Sequence, residues 1–127
     1  MGDLNSQINR AVWFDIPVAD LDRARAFYAA VLGCEVFKET FGEYTFCVLA
    51  HEQGNGGCLV PDAEKIAAAG PLLYLNVDGR IRDSVAQVEA HGGKILEPIH
   101  SIGPHGFRAL FLDSEGNRLA LHANSDS

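Results

Sequence analysis

The sequence predicts an α+β fold: two βαβββ modules forming a strongly curved eight-stranded mixed sheet around a cavity, with the helices outside. Three observations carry this expectation. WFDIPVADLDRARAFYAAVLGCEVF, from Trp13, is matched in pattern and without a gap by LLYLNVDGRIRDSVAQVEAHGGKIL, from Leu72. Val18 and Gly33 thereby correspond to Val77 and Gly92 at a constant offset of 59 residues. Each copy opens on β-branched and aromatic residues and passes into a stretch with apolar residues at helical spacing. Each then continues as three short apolar runs broken by turn formers. One helix over four strands leaves the other sheet face bare, so the two copies are expected to close on one another.

The elements follow in order. Residues 11–18 read as a strand. Leu21, Ala24, Phe27, Tyr28, Val31 and Leu32 then line one face of a helix, with Asp20 as N-cap and Gly33 as its stop. Strands are expected at about 34–40, 43–49 and 57–61, separated by a turn at Gly42 and the loop EQGNGG. The GNGG of that loop is a turn and not a phosphate cradle, because neither a helix nor a Lys follows it. Residues 62–70 read as a connector with one helical turn. The second copy repeats the order: a strand at 72–77, then a helix with Ile81, Val85 and Val88 as its stripe and Gly92-Gly93 at its end. Strands at about 94–99, 107–112 and 118–123 complete it, separated by IGPHG and DSEGN. Both helices are expected to run to about 12 residues. One domain, residues 8–124, is expected, with modules at about 8–61 and 71–124; residues 1–7 and 124–127 are polar ends, expected to be mobile.

Composition narrows the function. A chain of 127 residues can bury a real core, and 47% hydrophobic residues is not a disordered composition. A formal net charge of −7 argues against nucleic acid or an anionic membrane surface as partner. No apolar run reaches about 18 residues, so no membrane span is expected, and MGDLNSQINR lacks the order of a signal peptide. Cys34, Cys47 and Cys58 form no C-x-x-C pair and read as reduced thiols, which points to the cytoplasm.

VADLDRARAFYAAVLG and GFRALFLDSEGNRLALH, set in a doubled βαβββ order, resemble the first helix and last hairpin of the vicinal-oxygen-chelate superfamily. That superfamily includes glyoxalase I, extradiol dioxygenases and bleomycin-resistance proteins, and the likeness covers roughly residues 9–123. The resemblance implies a metal held by a His or Gln early in the first strand, a carboxylate in the fourth, a His opening the fifth and a Glu in the last. Counted from Asp20, Val77 and Gly116, three of those places fall on Trp13, Leu72 and Ala120, and GGCLV puts Cys58 at the fourth. None keeps the expected ligand. Cys58 alone could bind a metal, and one thiol cannot supply the three protein ligands usual for a catalytic Zn²⁺. No metal and no other cofactor is therefore expected at the family's position, and His51, His100 and His105 lack metal-ligand spacing.

Strand alternation says which side chains line the cavity instead. If Trp13 points inward, so do Asp15 and Pro17; Leu72, Tyr74 and Asn76 follow in the second copy, and Arg118, Ala120 and His122 on the last strand. Trp13, Asp15, Cys58, Leu72, Tyr74, Asn76, Ala120 and His122 are the candidate ligand-binding residues. Apolar walls with a few fixed polar groups suit a small organic ligand. Each residue also has a structural role open to it: Trp13 as a plug, Asp15 in a structural hydrogen bond, Cys58 as a small core residue, His122 as a solvated group.

The leading expectation is a metal-free binding protein like the bleomycin-resistance branch. Its rival is an enzyme of the same superfamily, a lyase/isomerase like lactoylglutathione lyase or a dioxygenase. Such an enzyme would be metal-free, with Asp15 as base and His122 or Tyr74 as acid, or would use a non-standard metal site. A non-catalytic subunit is a further reading. No nucleophile–base pair or acid–base dyad stands out, which favours binding. A homodimer is expected, because resembling short members pair and sheet edges need cover.

Overall fold

The computed structural model describes residues 9–127; the polar end at 1–7 and residue 8, where the first module was expected to start, lie outside them. The first module holds β1 (Asp15–Val18), α1 (Leu21–Leu32), β2 (Val36–Phe41), β3 (Tyr44–Leu49) and β4 (Cys58–Pro61). A single 3-10 turn at Ala63–Lys65 marks the connector. The second module holds β5 (Tyr74–Asn76), α2 (Ile81–Ala90), β6 (Lys94–Ser101), β7 (Phe107–Leu112) and β8 (Arg118–Ala123).

α1 begins and ends where its sequence says. The Asp20 side chain accepts the Arg23 backbone N–H at 3.0 Å, and Gly33 closes the helix at φ 65° while donating its N–H to Ala29. Gly33 serves a second purpose. A Cβ there would stand 2.6 Å from the Arg80 guanidinium, which crosses to donate to the Val31 carbonyl in the last turn of α1. A cation at a helix C-terminus is well placed against the helix dipole. Arg80 is also the residue before α2, which has no side-chain N-cap and runs to 10 residues, shorter than expected.

The eight strands lie in two four-stranded sheets, of order β1-β4-β3-β2 and β5-β8-β7-β6. This corrects the expectation of one continuous eight-stranded sheet; the sheets do not close into a barrel. The repeat is nonetheless complete, since each first strand pairs parallel with the last strand of its own module. The edges that would have to join are poor partners. β1 contains Pro17, which has no N–H to donate, and its carbonyl is taken by the Asn117 side chain at 2.7 Å. β5 is three residues long, and Asn76 turns back to accept the Asp78 N–H at 2.9 Å.

One core joins the modules. Ile16 and Val18 of β1, Leu59 of β4, Leu75 of β5 and Leu119 and Leu121 of β8 point to the same interior as Phe27, Tyr28, Val31, Ile81 and Val88 of the helices. The helices lie against each other, and Phe27 stacks on Phe111 with ring centroids 6.1 Å apart. Burying side chains of this size contributes about 1.5–3 kcal/mol each. The turn before β8 adds a polar tie: the buried Asp113 carboxylate accepts the Tyr28 hydroxyl at 2.6 Å. Cys34, Cys47 and Cys58 are free thiols. Among the described residues, no helix is long and apolar enough to cross a membrane.

Candidate functional site

Each sheet turns one face to the helices and leaves the other open. The register decides which side chains stand on the open side. In the first sheet Asp15 pairs with Cys58, Cys58 with Val48, and Val48, Phe46 and Tyr44 with Phe37, Glu39 and Phe41. A groove of about 520 Å³ runs over this face, lined by Trp13, Asp15, Tyr44, Phe46, Cys58 and Val60, with Glu43 at its mouth. Phe41 and Tyr44 are 76% and 69% exposed, far more than an isolated core strand tolerates.

Of the two carboxylates that line this groove, Asp15 and Glu43, Asp15 is the one on a strand. The Cys58 thiol donates to its Oδ1 at 3.1 Å, and among the described residues no cation pairs with it. Burial pushes the Cys58 thiol up to about 11, and the hydrogen bond to Asp15 pushes the same way, while Trp13 acts against both. Cys58 is therefore a protonated donor at neutral pH and not a reactive thiolate. Trp13 lies just before β1 rather than within it, its ring edge-on to His51 at 5.8 Å.

The open face of the second sheet is more polar. Tyr74 pairs with Ala120 and Asn76 with His122 across β5 and β8, and β8 in turn places His122 beside Arg108 and Ala120 beside Leu110. Tyr74 and His122 meet edge-on at 6.5 Å. The His122 Nε2–H donates to the His105 carbonyl at 2.6 Å. Gly106 permits that contact: its φ is 99°, and a Cβ there would meet the Ala123 carbonyl at 2.5 Å. Arg108 donates from Nε to His100 Nε2 at 3.0 Å and from Nη1 to the Tyr74 hydroxyl at 2.6 Å.

The candidate residues are thus divided. Trp13, Asp15 and Cys58 stand together on the first sheet. Tyr74, Asn76 and His122 stand together on the second, with Ala120 fully buried beneath them and Leu72 half-buried just before β5. Tyr44, Phe46 and Val60 of the groove, and Arg108 and His100 of the second face, were not among them. The period-2 alternation of YTFCVL and FRALFL was the available signal. Trp13, Cys58, Leu72 and Ala120 stand at the four places to which the resemblance assigns the superfamily's metal ligands. Among the described residues no group of three His, Cys, Asp or Glu side chains is placed to hold a metal ion.

Comparison with known proteins agrees with this architecture. Residues 10–48 match the bleomycin resistance protein-like N-terminal family. A glyoxylase-like domain-containing protein from Didymella fabae is 30% identical over 114 residues, which cover 84% of this chain and 88% of that protein. Among solved structures, a glyoxalase/bleomycin resistance protein/dioxygenase family enzyme from Burkholderia phytofirmans PsJN superposes with a TM-score of 0.70 at 18% identity, covering 87% of this chain and 95% of that one. TnmS3, an antibiotic binding protein from a Streptomyces species, gives a TM-score of 0.68 at 22% identity, covering 94% and 98%. With the doubled βαβββ module, its shared strand order and this relative along most of its length, the chain belongs to the glyoxalase/bleomycin resistance/dioxygenase superfamily.

Proposed function

We propose that the protein binds a small organic molecule, without a metal, on the open faces of its sheets. The observation that carries this reading is the groove over β1, β4 and β3: aromatic and aliphatic walls from Trp13, Tyr44, Phe46 and Val60 with the carboxylates of Asp15 and Glu43. Apolar walls with few fixed polar groups are what small-molecule sites offer. The fold neighbour described as an antibiotic binding protein is in keeping with it. The donor set does not fit the superfamily's metal, since Trp13, Leu72 and Ala120 bear no metal-ligating side chains and the one thiol of Cys58 cannot supply the three protein ligands usual for a catalytic Zn²⁺. Catalysis by Asp15 and His122 finds less support. They stand on different sheets, no hydrogen bond joins them, and the Nε2 of His122 is committed to the His105 carbonyl.

Asp15→Asn keeps the shape of the site and removes its charge. A ligand N–H or O–H that donates to Asp15 should then bind about 1.5–3 kcal/mol more weakly, while the melting temperature of the free protein barely moves. Titration calorimetry with the molecule that co-purifies, on both proteins, reads this directly. Unchanged affinity together with a lowered melting temperature would make Asp15 a structural residue and remove its place in the site.

We propose in addition that the chain pairs with a second copy. Phe37, Phe41 and Tyr44 leave an apolar patch on the open face of the first sheet, beside Asp15, Glu39 and Glu43. Exposed apolar surface of this kind is what a second copy would cover. Sedimentation at micromolar concentration should give twice the chain mass of 13.7 kDa. A species of single-chain mass would overturn the dimer.

A further inference from the structure

Arg108 is a guanidinium without a carboxylate. Among the described residues, both of its side-chain partners are neutral acceptors. His100 Nδ1 lies 2.8 Å from the Pro98 carbonyl and must donate to it, so Nε2 is left as the lone pair that receives Arg108 Nε–H. The approach of Glu97 to that same nitrogen, at 3.8 Å, is accordingly a contact between a carboxylate and a neutral ring, not an ion pair. The Tyr74 hydroxyl accepts from Arg108 Nη1, which leaves its own proton to donate elsewhere. Two neighbouring residues hold the fork in place and neither neutralises it. Its Nη2 hydrogens and the Tyr74 proton remain as donors on the open face, beside His122 and above Leu110 and Ala120. A half-buried cation held this way, with only donors left over, is built for an anion. Arg presents parallel N–H groups that match the oxygens of a carboxylate or phosphate.

We propose that Arg108 and Tyr74, with His100 as the positioning residue, form an oxyanion subsite on the second sheet, and that the ligand carries a carboxylate or phosphate group. This rests on the small-molecule reading above and specifies the charge of the molecule.

The test uses three probes of one shape: 1-naphthoate, its neutral amide 1-naphthamide, and 1-naphthyl phosphate, each titrated calorimetrically into the intact protein. At least one of the two anions should bind ten times or more tightly than the amide, with an affinity that falls as salt rises; whichever anion is preferred identifies the oxyanion. Arg108→Gln should cost the anion ten-fold or more in affinity and the amide far less, and Tyr74→Phe should weaken the anion several-fold while leaving the fold intact. Equal binding of anion and amide to the wild type would overturn the subsite and leave the small-molecule reading standing. Failure of all three probes to bind would count against both. A third result would also overturn it: if Arg108→Gln converts a dimer to monomer, the partner of Arg108 is a carboxylate of the second copy and not a ligand.

Discussion

Replacing Asp113 with Ala should destabilise the fold by about 3–4 kcal/mol, lowering the melting temperature by about 10 °C. The reason lies in how many donors one buried carboxylate satisfies. Asp113 is 3% exposed. Its Oδ1 accepts the backbone N–H groups of Glu115, Gly116 and Asn117, each at 2.9 Å. Its Oδ2 accepts the Tyr28 hydroxyl at 2.6 Å and the Asn117 side chain at 3.1 Å. Asn117 in turn reaches the Pro17 carbonyl, so the turn before β8 is tied to both α1 and β1. Ala at 113 would leave the Tyr28 hydroxyl without its acceptor inside the core. That hydroxyl is held well above its ordinary pKa, first by burial and then by the Asp113 charge, and cannot escape by ionising. Tyr28→Phe separates the contributions: it removes one charge-assisted bond and leaves the turn its acceptor, so about 1.5–3 kcal/mol should be lost. Thermal melts of the two variants check the order. A loss with Asp113→Ala no larger than that with Tyr28→Phe would show that the turn does not depend on the carboxylate.

That hub is also the clearest case of what a sequence hides. Asp, Ser, Glu, Gly and Asn in a row are turn formers, and turn composition implies solvent. Burial of Asp113 depends on α1 lying across the turn, a contact between residues 85 positions apart. By contrast, α1 was legible almost to the residue because its signals are local: a capping Asp, an apolar stripe and a stop at Gly33. Alternation also read correctly where strands are covered on one side only. Ile16 and Val18 turned to the core and left Asp15 open; Leu75 and Val77 did the same beside Tyr74 and Asn76. The division into two sheets was not legible. Whether β1 and β5 join edge to edge depends on what competes for their free backbone groups, and here a distant Asn117 takes the Pro17 carbonyl. Arg108 was hidden for a related reason: one charge within FRALFL reads as an interruption of an apolar run until the register puts Tyr74 and His100 on either side of it.

Glu115 should make the fold acid-sensitive in a window set by its own carboxyl. Its side chain is fully buried, at 0% exposure, while Arg23 opposite is half exposed. Arg23 grips both oxygens, at 2.7 and 2.8 Å. The Ala19 and Asp20 backbone N–H groups donate to Oε1 and the Ser114 hydroxyl to Oε2. Burial alone would raise the pKa of this carboxyl. The hydrogen bonds from Arg23, Asp20, Ser114 and Ala19 outweigh it and bring the value from 4.5 to about 2. A carboxyl that is easier to ionise when folded contributes stability above its unfolded pKa and loses it as pH falls through the folded one. The contribution is thus whole above 4.5 and gone below about 2. Its size is about 2–3 kcal/mol, the lower figure allowing for solvent around Arg23. Glu115→Gln retains an oxygen for the two backbone donors and loses the charge, so it should be about 2 kcal/mol less stable than wild type at pH 7. Urea unfolding of both proteins from neutral pH to pH 2 should show the gap closing as Glu115 takes up its proton. A gap of constant size across that range would mean that the charge contributes nothing, and that Glu115 holds the last hairpin to α1 by shape and neutral hydrogen bonds alone.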